Sequence, residues 1–185
     1  MNNPTYHNVH NKFKLNGYHL TKEDLIRVAY SFIKEGDYFE KPLGVFILDW
    51  FDDRSYLEIN TSGSTGTPKI IQVEKQAMVN SALATGDFFG LEPGKKILHC
   101  LPTNYVAGKM MFVRAFILGL EMEFVAPSSN PLEGIDETFD FCGMVPLQAK
   151  NSLKDLHKIK KLIIGGVKVH KSLEQELVKL PIEIY

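Results

Sequence analysis

The sequence predicts an α/β fold, a mostly parallel sheet with helices on both faces. From residue 69 onward, short apolar runs alternate with helix-length segments, the pattern that builds strand–helix–strand units. Two of the runs end in turn-forming pairs, Leu101-Pro102 and Gly165-Gly166, and in such sheets ligands bind beyond the carboxyl ends of the strands. A length of 185 residues with 44% hydrophobic and 23% charged side chains suits one ordinary globular domain with a real core.

Residues 1–12 are polar and expected to fray, and Phe13 to Leu15 form a short strand before a turn at Asn16-Gly17. Thr21 is a good N-cap with Glu23 and Asp24 in the first turn. Leu25, Ile26, Ala29, Phe32 and Ile33 follow at helical spacing until Gly36 ends the helix. A second helix covers Tyr38 to Phe51, where Phe39, Leu43, Phe46, Ile47 and Trp50 make an apolar face that suits a core better than a cofactor. This opening section, residues 1–53, shows no chemistry and is set apart as a flanking segment from a binding unit at 54–185. Lys69 to Val73 is a strand, and Lys75 to Phe89 a helix with a small-residue face of Ala77, Ser81, Ala82 and Thr85 beside Met78. Lys96 to Leu101 is a strand ending at Pro102, and a loop through Gly108 leads to an apolar helix that reaches Leu118. Strands follow at Glu121 to Val125, Phe139 to Val145 and Lys160 to Ile164, helices at Leu147 to Leu153 and Ser172 to Leu180, and a final extended run at Ile182 to Tyr185.

A formal net charge of -1 offers no electrostatic basis for a nucleic acid or an anionic membrane as partner, so function is sought in a pocket. Cys100 and Cys142 lie in apolar surroundings, which reads as buried free thiols in a reducing compartment rather than a disulfide or a metal site. The six histidines form no metal-ligand spacing, and His7 and His10 are expected to be solvated. The start lacks the basic and apolar regions of a signal peptide, and no membrane-spanning apolar run occurs, so the expected location is cytoplasmic.

The stretch most suited to chemistry is 57–73, where Thr61-Ser62-Gly63-Ser64-Thr65-Gly66-Thr67-Pro68-Lys69 lies between two short β-like runs. Gly63 and Gly66 let backbone N–H groups approach a ligand closely. Thr61, Ser62, Ser64, Thr65 and Thr67 add hydroxyls, and Lys69 adds a positive charge, a set that suits a polyphosphate. The common P-loop, which would point to an NTPase or kinase, needs Gly-x-x-x-x-Gly-Lys-Ser/Thr running into a helix; here Pro68 precedes the Lys and a β-branched run follows it. A plain Ser/Thr/Gly surface turn would need neither the Pro-Lys ending nor the flanking apolar runs.

That nine-residue string resembles the phosphate-loop signature of the adenylate-forming enzymes, which include acyl-CoA synthetases, luciferases and the adenylation domains of peptide synthetases. Three further stretches fit the same pattern in order. Leu101-Pro102-Thr103-Asn104-Tyr105-Val106-Ala107-Gly108 is similar to the second motif, beside the acyl pocket, with Tyr105 where the family ordinarily has His. Val145-Pro146-Leu147-Gln148 resembles a Val-Pro-x-Gln turn, and Leu162-Ile163-Ile164-Gly165-Gly166-Val167 resembles the strand end that lies against adenine. The run from Leu101 through Arg114 to Gly119 is most similar to the o-succinylbenzoate:CoA ligase group of menaquinone biosynthesis.

The resemblance implies the N-terminal portion of the large domain of an AMP-forming acid:CoA ligase, with ATP, Mg²⁺ and coenzyme A as partners of the whole enzyme and an aromatic or dicarboxylic acid as substrate. It implies phosphate contacts from Thr61, Ser62, Gly63, Ser64, Thr65, Gly66, Thr67 and Lys69, and adenine contacts from Gly165, Gly166 and Val167. Tyr105, Gly108 and Arg114 would line the acyl pocket. Lys69 and Tyr105 are the implied catalytic residues, Tyr105 without an imidazole to offer. No metal ligand is assigned, because the family's metal-binding Glu, its ribose-holding Asp and its C-terminal lid are expected past residue 185. On that expectation the chain is the front part of a longer enzyme and is inactive by itself. Another acyl-CoA synthetase, another adenylation enzyme or a non-catalytic nucleotide-binding module are the alternatives, and a homodimer is compatible with any of them.

Arg114 is the one charge within Met110 to Leu118, and a guanidinium in so apolar a helix needs a partner. The structural reading pairs it with Asp87 or Glu121, or lets it snorkel to solvent. The functional reading turns it into the acyl pocket to hold a second, unreactive carboxylate of the substrate.

Overall fold

The computed structural model describes residues 4–61 and 69–185. The chain order is β1 (Lys14–Leu15), β2 (Tyr18–His19), α1 (Lys22–Glu35), α2 (Glu40–Phe51), β3 (Tyr56–Thr61), β4 (Lys69–Glu74), α3 (Lys75–Phe89) and β5 (Lys96–His99). It continues with α4 (Val106–Leu118), β6 (Glu121–Phe124), β7 (Phe139–Met144), α5 (Pro146–Asn151), a 3-10 turn (Leu156–Lys158), β8 (Ile159–Ile164), α6 (Lys171–Leu177) and β9 (Glu183–Ile184). Seven strands form one sheet in the order β2-β1-β6-β5-β7-β8-β9. Every pairing in it is parallel except the β1–β2 hairpin. β3 and β4 pair antiparallel and only with each other, as a separate two-stranded hairpin.

Period-two alternation divides the side chains of the sheet between two cores. Ile97 and Phe141 face one side, packed with Leu25, Phe46, Trp50, Val79, Phe112 and Phe116 of α1 to α4. Leu98, Cys100, Cys142 and Leu162 face the other, packed with Ala149, Leu156, Leu173 and Leu177. The aromatic face read in the second helix is core: Phe46 meets Phe112 edge-on at 6.0 Å, and Trp50 meets Phe116 at 5.3 Å. Phe13, at the foot of β1, joins them edge-on against Phe112 at 5.9 Å.

Thr21 caps α1 as the sequence requires, accepting from Asp24 N while Asp24 accepts from Thr21 N, and Gly36 ends it. α2 starts at Glu40 rather than Tyr38 because Glu40 turns back to accept from Asp37 N at 2.8 Å. α4 starts at Val106, so Gly108 lies inside its first turn and not in the preceding loop. A Cβ at Gly108 would stand 2.4 Å from Pro102 O, and only glycine lets the turn close so tightly on the end of β5.

The opening residues are not frayed from Pro4 onward, and β2 is an element that the sequence reading lacked. Trp50 Nε1 donates to Tyr6 O at 2.9 Å, Tyr6 N to Gln76 Oε1 at 3.2 Å, and His10 N to Phe116 O at 2.8 Å. His10, expected in solvent, lies against Gly119, where an added Cβ would meet Nδ1 at 2.3 Å; burial, with Lys12 nearby, lowers its pKa. Among the described residues no helix is long and apolar enough to cross a membrane.

Candidate functional site

β5, β7 and β8 are neighbours and run parallel, so their carboxyl ends put three turns side by side: Leu101-Pro102, Val145-Pro146 and Gly165-Gly166. Gln148 ties them. It is almost fully buried; its Nε2 donates to Cys100 O and Ser128 O, both at 3.0 Å, and its Oε1 accepts from Val145 N at 3.1 Å. One amide thereby satisfies three backbone groups on three segments, which explains why the Val-Pro-Leu-Gln turn needs that residue. Gln148→Leu is expected to leave the buried Cys100 carbonyl without its donor and lower stability by about 2 kcal/mol, a fall of roughly 4–8 °C in Tm for a chain of this size. An unchanged melting curve would show that the turns hold without the amide.

Two adjoining cavities open over these turns. The inner one, about 230 Å³, lies between α4 and the ends of β7 and β8, with Met110, Met111, Arg114, Gly143, Met144 and Ile163 in its wall. The outer one, about 690 Å³, lies between the turns and the β3–β4 hairpin, which contributes Ile59, Ile71 and Val73. Leu101, Val106, Ala107, Val145 and Gly166 line both. The walls are apolar, and among the described residues Arg114 is the only charged side chain in either, an arrangement suited to an organic acid with its polar ends held at a few points.

Of the residues singled out from sequence, Tyr105, Gly108 and Val167 line the outer cavity, Arg114 and Gly165 the inner one, and Gly166 both. Tyr105 and Val167 are well exposed on the rim. Residues 62–68 of the phosphate-loop string lie outside the described residues, as do the side chains of Thr61 and Lys69; the backbones of those two face each other as the last pair of the hairpin. The lining residues Gly143, Met144, Ile59 and Ile71 were not singled out. Gly143 carried a signal, a glycine inside an otherwise apolar strand, and a Cβ there would meet only ordinary contacts, Leu101 Cδ1 at 3.5 Å and Met111 Sδ at 3.6 Å.

Arg114 has neither expected acidic partner. Glu121 is taken by Lys14 at 2.7 Å, and no carboxylate among the described residues pairs with the guanidinium. Among the described residues its Nη1 reaches only Met111 Sδ, at 3.7 Å, and its buried Nε has no acceptor. Burial pulls its pKa down. Beside it in α4, Lys109 donates to Thr103 O at 2.8 Å and sits 5.2 Å over the Phe46 ring, bracing the loop behind Tyr105. Cys100 and Cys142 are free, buried thiols with sulfurs 3.9 Å apart beneath the site, and burial, with Cys100 beside it, pushes the Cys142 thiol up.

Comparison with known proteins agrees with this geometry. The acyl-CoA synthetase (AMP-forming)/AMP-acid ligase II-like protein from Dyadobacter fermentans is 31% identical and superposes with a TM-score of 0.74, over 85% of this chain and 47% of its own. The chain thus spans about half the length of that relative. O-succinylbenzoate coenzyme A synthetase (MenE) from Bacillus subtilis, in complex with the acyl-adenylate intermediate OSB-AMP, is 20% identical with a TM-score of 0.62, over 69% of this chain and 28% of its own. The Klebsiella oxytoca NpsA N-terminal subdomain, in complex with 3-hydroxyanthranilyl-AMSN, is 18% identical with a TM-score of 0.58, over 69% of this chain and 35% of its own. These two likenesses are of fold. No curated protein matches the sequence significantly. The AMP-binding enzyme family matches residues 52–185, the region that holds the hairpin, the three turns and both cavities, and the chain belongs to that family.

Proposed function

We propose that this chain is the ATP- and acid-binding front part of an AMP-forming acid:CoA ligase whose acid is o-succinylbenzoate, working in the cytoplasm on small-molecule substrates. The observation that carries the choice of acid is the Arg114 guanidinium, without a carboxylate partner among the described residues, at the wall of an otherwise apolar cavity of about 230 Å³. A diacid of one ring and a short chain suits that space and brings the missing carboxylate. A fatty acid has a single carboxylate, which is consumed in the reaction, and would leave the guanidinium buried against hydrocarbon.

The proposed chemistry has two steps. A substrate carboxylate oxygen attacks the α-phosphorus of ATP and pyrophosphate leaves; the thiol sulfur of coenzyme A then attacks the acyl carbon and AMP leaves. The carboxylate is already ionised, so the first step needs no general base, and in the second the thiol proton is lost to the departing AMP phosphate or to solvent; the chain's contribution is to position reactants and offset charge. In this reading the turns at 101–102, 145–146 and 165–166 hold the acyl-adenylate across the two cavities, Gly165, Gly166 and Val167 lying toward the adenine. The amides and hydroxyls of 61–67 and the Lys69 ammonium take the departing pyrophosphate, and Tyr105 lies over the junction. Magnesium would shield the phosphates when bound. Among the described residues no acidic cluster is set for a metal ion, and the assignment of roles does not depend on one.

Extending the chain with the other half of the family's length and following AMP release tests the reading. AMP formation should depend on o-succinylbenzoate and fail with fatty acids, and the 185-residue chain alone should make no acyl-CoA and bind ATP only weakly. AMP release that ignores o-succinylbenzoate would remove the substrate assignment. Lys69→Ala in the extended enzyme should slow adenylation about 10²-fold, the scale of losing one transition-state donor, with little change in folding. Unaltered pyrophosphate release would take Lys69 out of the site.

A further inference from the structure

The β3–β4 hairpin forms part of the outer cavity wall yet shares no strand pairing with the seven-stranded sheet. Leu57 and Ile59 anchor one face of it in the core, with Val73 packed alongside; what remains to be fixed is its angle at the root, where the chain leaves α2 and enters α3. Lys75, the first residue of α3, is there and completely buried. Its backbone N donates to Ser55 O at 2.8 Å, and its Nζ donates to Asp52 Oδ1 at 2.7 Å and to Asp52 O at 3.3 Å. One residue at the exit thus grips the α2–β3 junction through main chain and side chain together.

The rest of the knot stiffens that grip. Arg54 forks between Asp52 Oδ2 at 2.6 Å and Asp49 Oδ1 at 3.0 Å, so both oxygens of Asp52 are engaged, one by each cation. Burial acts to raise the Asp52 pKa, but the hydrogen bonds from Arg54 and Lys75 outweigh it and hold the carboxyl below the usual range. Tyr6 covers the ammonium, its ring 5.8 Å from Nζ, and is pinned by Trp50 and Gln76. The ammonium is fully buried and the Asp52 side chain about 30% exposed, so salt screens the pair only in part.

We propose that Lys75 is a positioning residue: its ion pair with Asp52 holds the β3–β4 hairpin at the angle that closes the outer cavity and presents the far end of the hairpin, at residues 61 and 69, to the phosphates of a nucleotide. The nucleotide part rests on the function proposed above; the clamp does not. A long cation suits the place because it must reach back across the α2–β3 junction, and a neutral residue would leave the root of the hairpin held by backbone and by the apolar packing of Leu57, Ile59 and Val73 alone.

Amide hydrogen exchange on the 185-residue chain tests the clamp. In Lys75→Met the amides of 56–61 and 69–74 should exchange about tenfold faster or more, as a local opening, while those of 139–144 and 159–164 keep their wild-type rates. Lys75→Arg, which keeps the charge, should retain most of the protection. Asp52→Asn, which keeps the shape, should loosen the same two strands and gives the same reading should Lys75→Met fail to fold. Unchanged hairpin exchange in both neutral variants, or a uniform rise across the whole sheet, would overturn the proposal. Titration with millimolar ATP should show about tenfold weaker binding for Lys75→Met than for wild type, restored by Lys75→Arg. A wild-type chain that ignores ATP would sink the nucleotide reading, and the exchange rates would still decide the clamp.

Discussion

Arg114→Lys in the extended enzyme should raise KM for o-succinylbenzoate by roughly 10²-fold and leave KM for ATP nearly unchanged, because only a remote binding contact is lost. A lysine keeps the charge but cannot offer two parallel N–H donors to one carboxylate. Arg114→Met removes the charge as well and should weaken the diacid further, toward 10³-fold, the scale of leaving a buried carboxylate without its partner. The same Met variant should make the ligand-free chain more stable, by about 1–3 kcal/mol. The reason is in the wild-type geometry: Nε has no acceptor, Nη1 has only a thioether, and burial lowers the pKa. Opposite signs on stability and on diacid affinity distinguish a binding residue from a structural one. A structural arginine would lose stability on replacement, and diacid affinity would fall only as the fold failed. If KM stays put in both variants, or if stability collapses, the case for a diacid weakens with it. Enzyme kinetics and a thermal melt of the same two variants decide the matter.

How much of this site could be read from sequence depends on whether the signal was local. The three turns were legible because Pro102, Pro146 and the Gly165-Gly166 pair punctuate apolar strands, and local chemistry forces the chain to turn there. Arg114 was legible as a charge in an apolar helix. Its lack of a partner was not, because Lys14 claims Glu121 from a strand over a hundred positions earlier in the chain. The independence of the β3–β4 hairpin was hidden for the same reason: the Ile70, Ile71 and Val73 run looks like any strand, and nothing within it says which edge it will meet. Lys75 read as an ordinary first-turn helix residue, and its burial follows from Asp52, Ser55 and Tyr6, all distant in sequence or turned toward it only by the fold. The docked opening segment was missed because its polar residues satisfy one another through Trp50, Gln76 and Phe116 rather than through a periodic apolar face.

Stability should fall steeply on mild acidification, by about 2 kcal/mol between pH 7 and pH 5, and one residue in the Lys96 to Leu101 run should account for most of the loss. His99 is fully buried on β5, its ring stacked on Phe124 at 5.0 Å, and neither ring nitrogen has a hydrogen-bond partner among the described residues. Desolvation lowers its pKa from 6.5 to about 3. The unfolded chain therefore takes up a proton at this side chain below pH 6.5 that the folded chain refuses until about pH 3. The stability is fully present above the unfolded value and is lost as pH falls through that window, at about 1.4 kcal/mol per pH unit once well below 6.5. Asp52 and Asp140 have depressed pKa values, so their contributions fade only at lower pH, leaving the interval from 7 to 5 to the histidines, chiefly the fully buried His99 and to a smaller extent His10, whose pKa partial burial also lowers. His99→Leu should flatten that interval. It should also raise stability at pH 7 by about 1–3 kcal/mol, because two unpaired ring nitrogens leave an apolar core, giving about 3–5 kcal/mol over wild type at pH 5. Urea titrations of both proteins at pH 7 and pH 5 measure each quantity. Parallel acid losses in wild type and variant would show that His99 finds a partner or a proton in the folded chain.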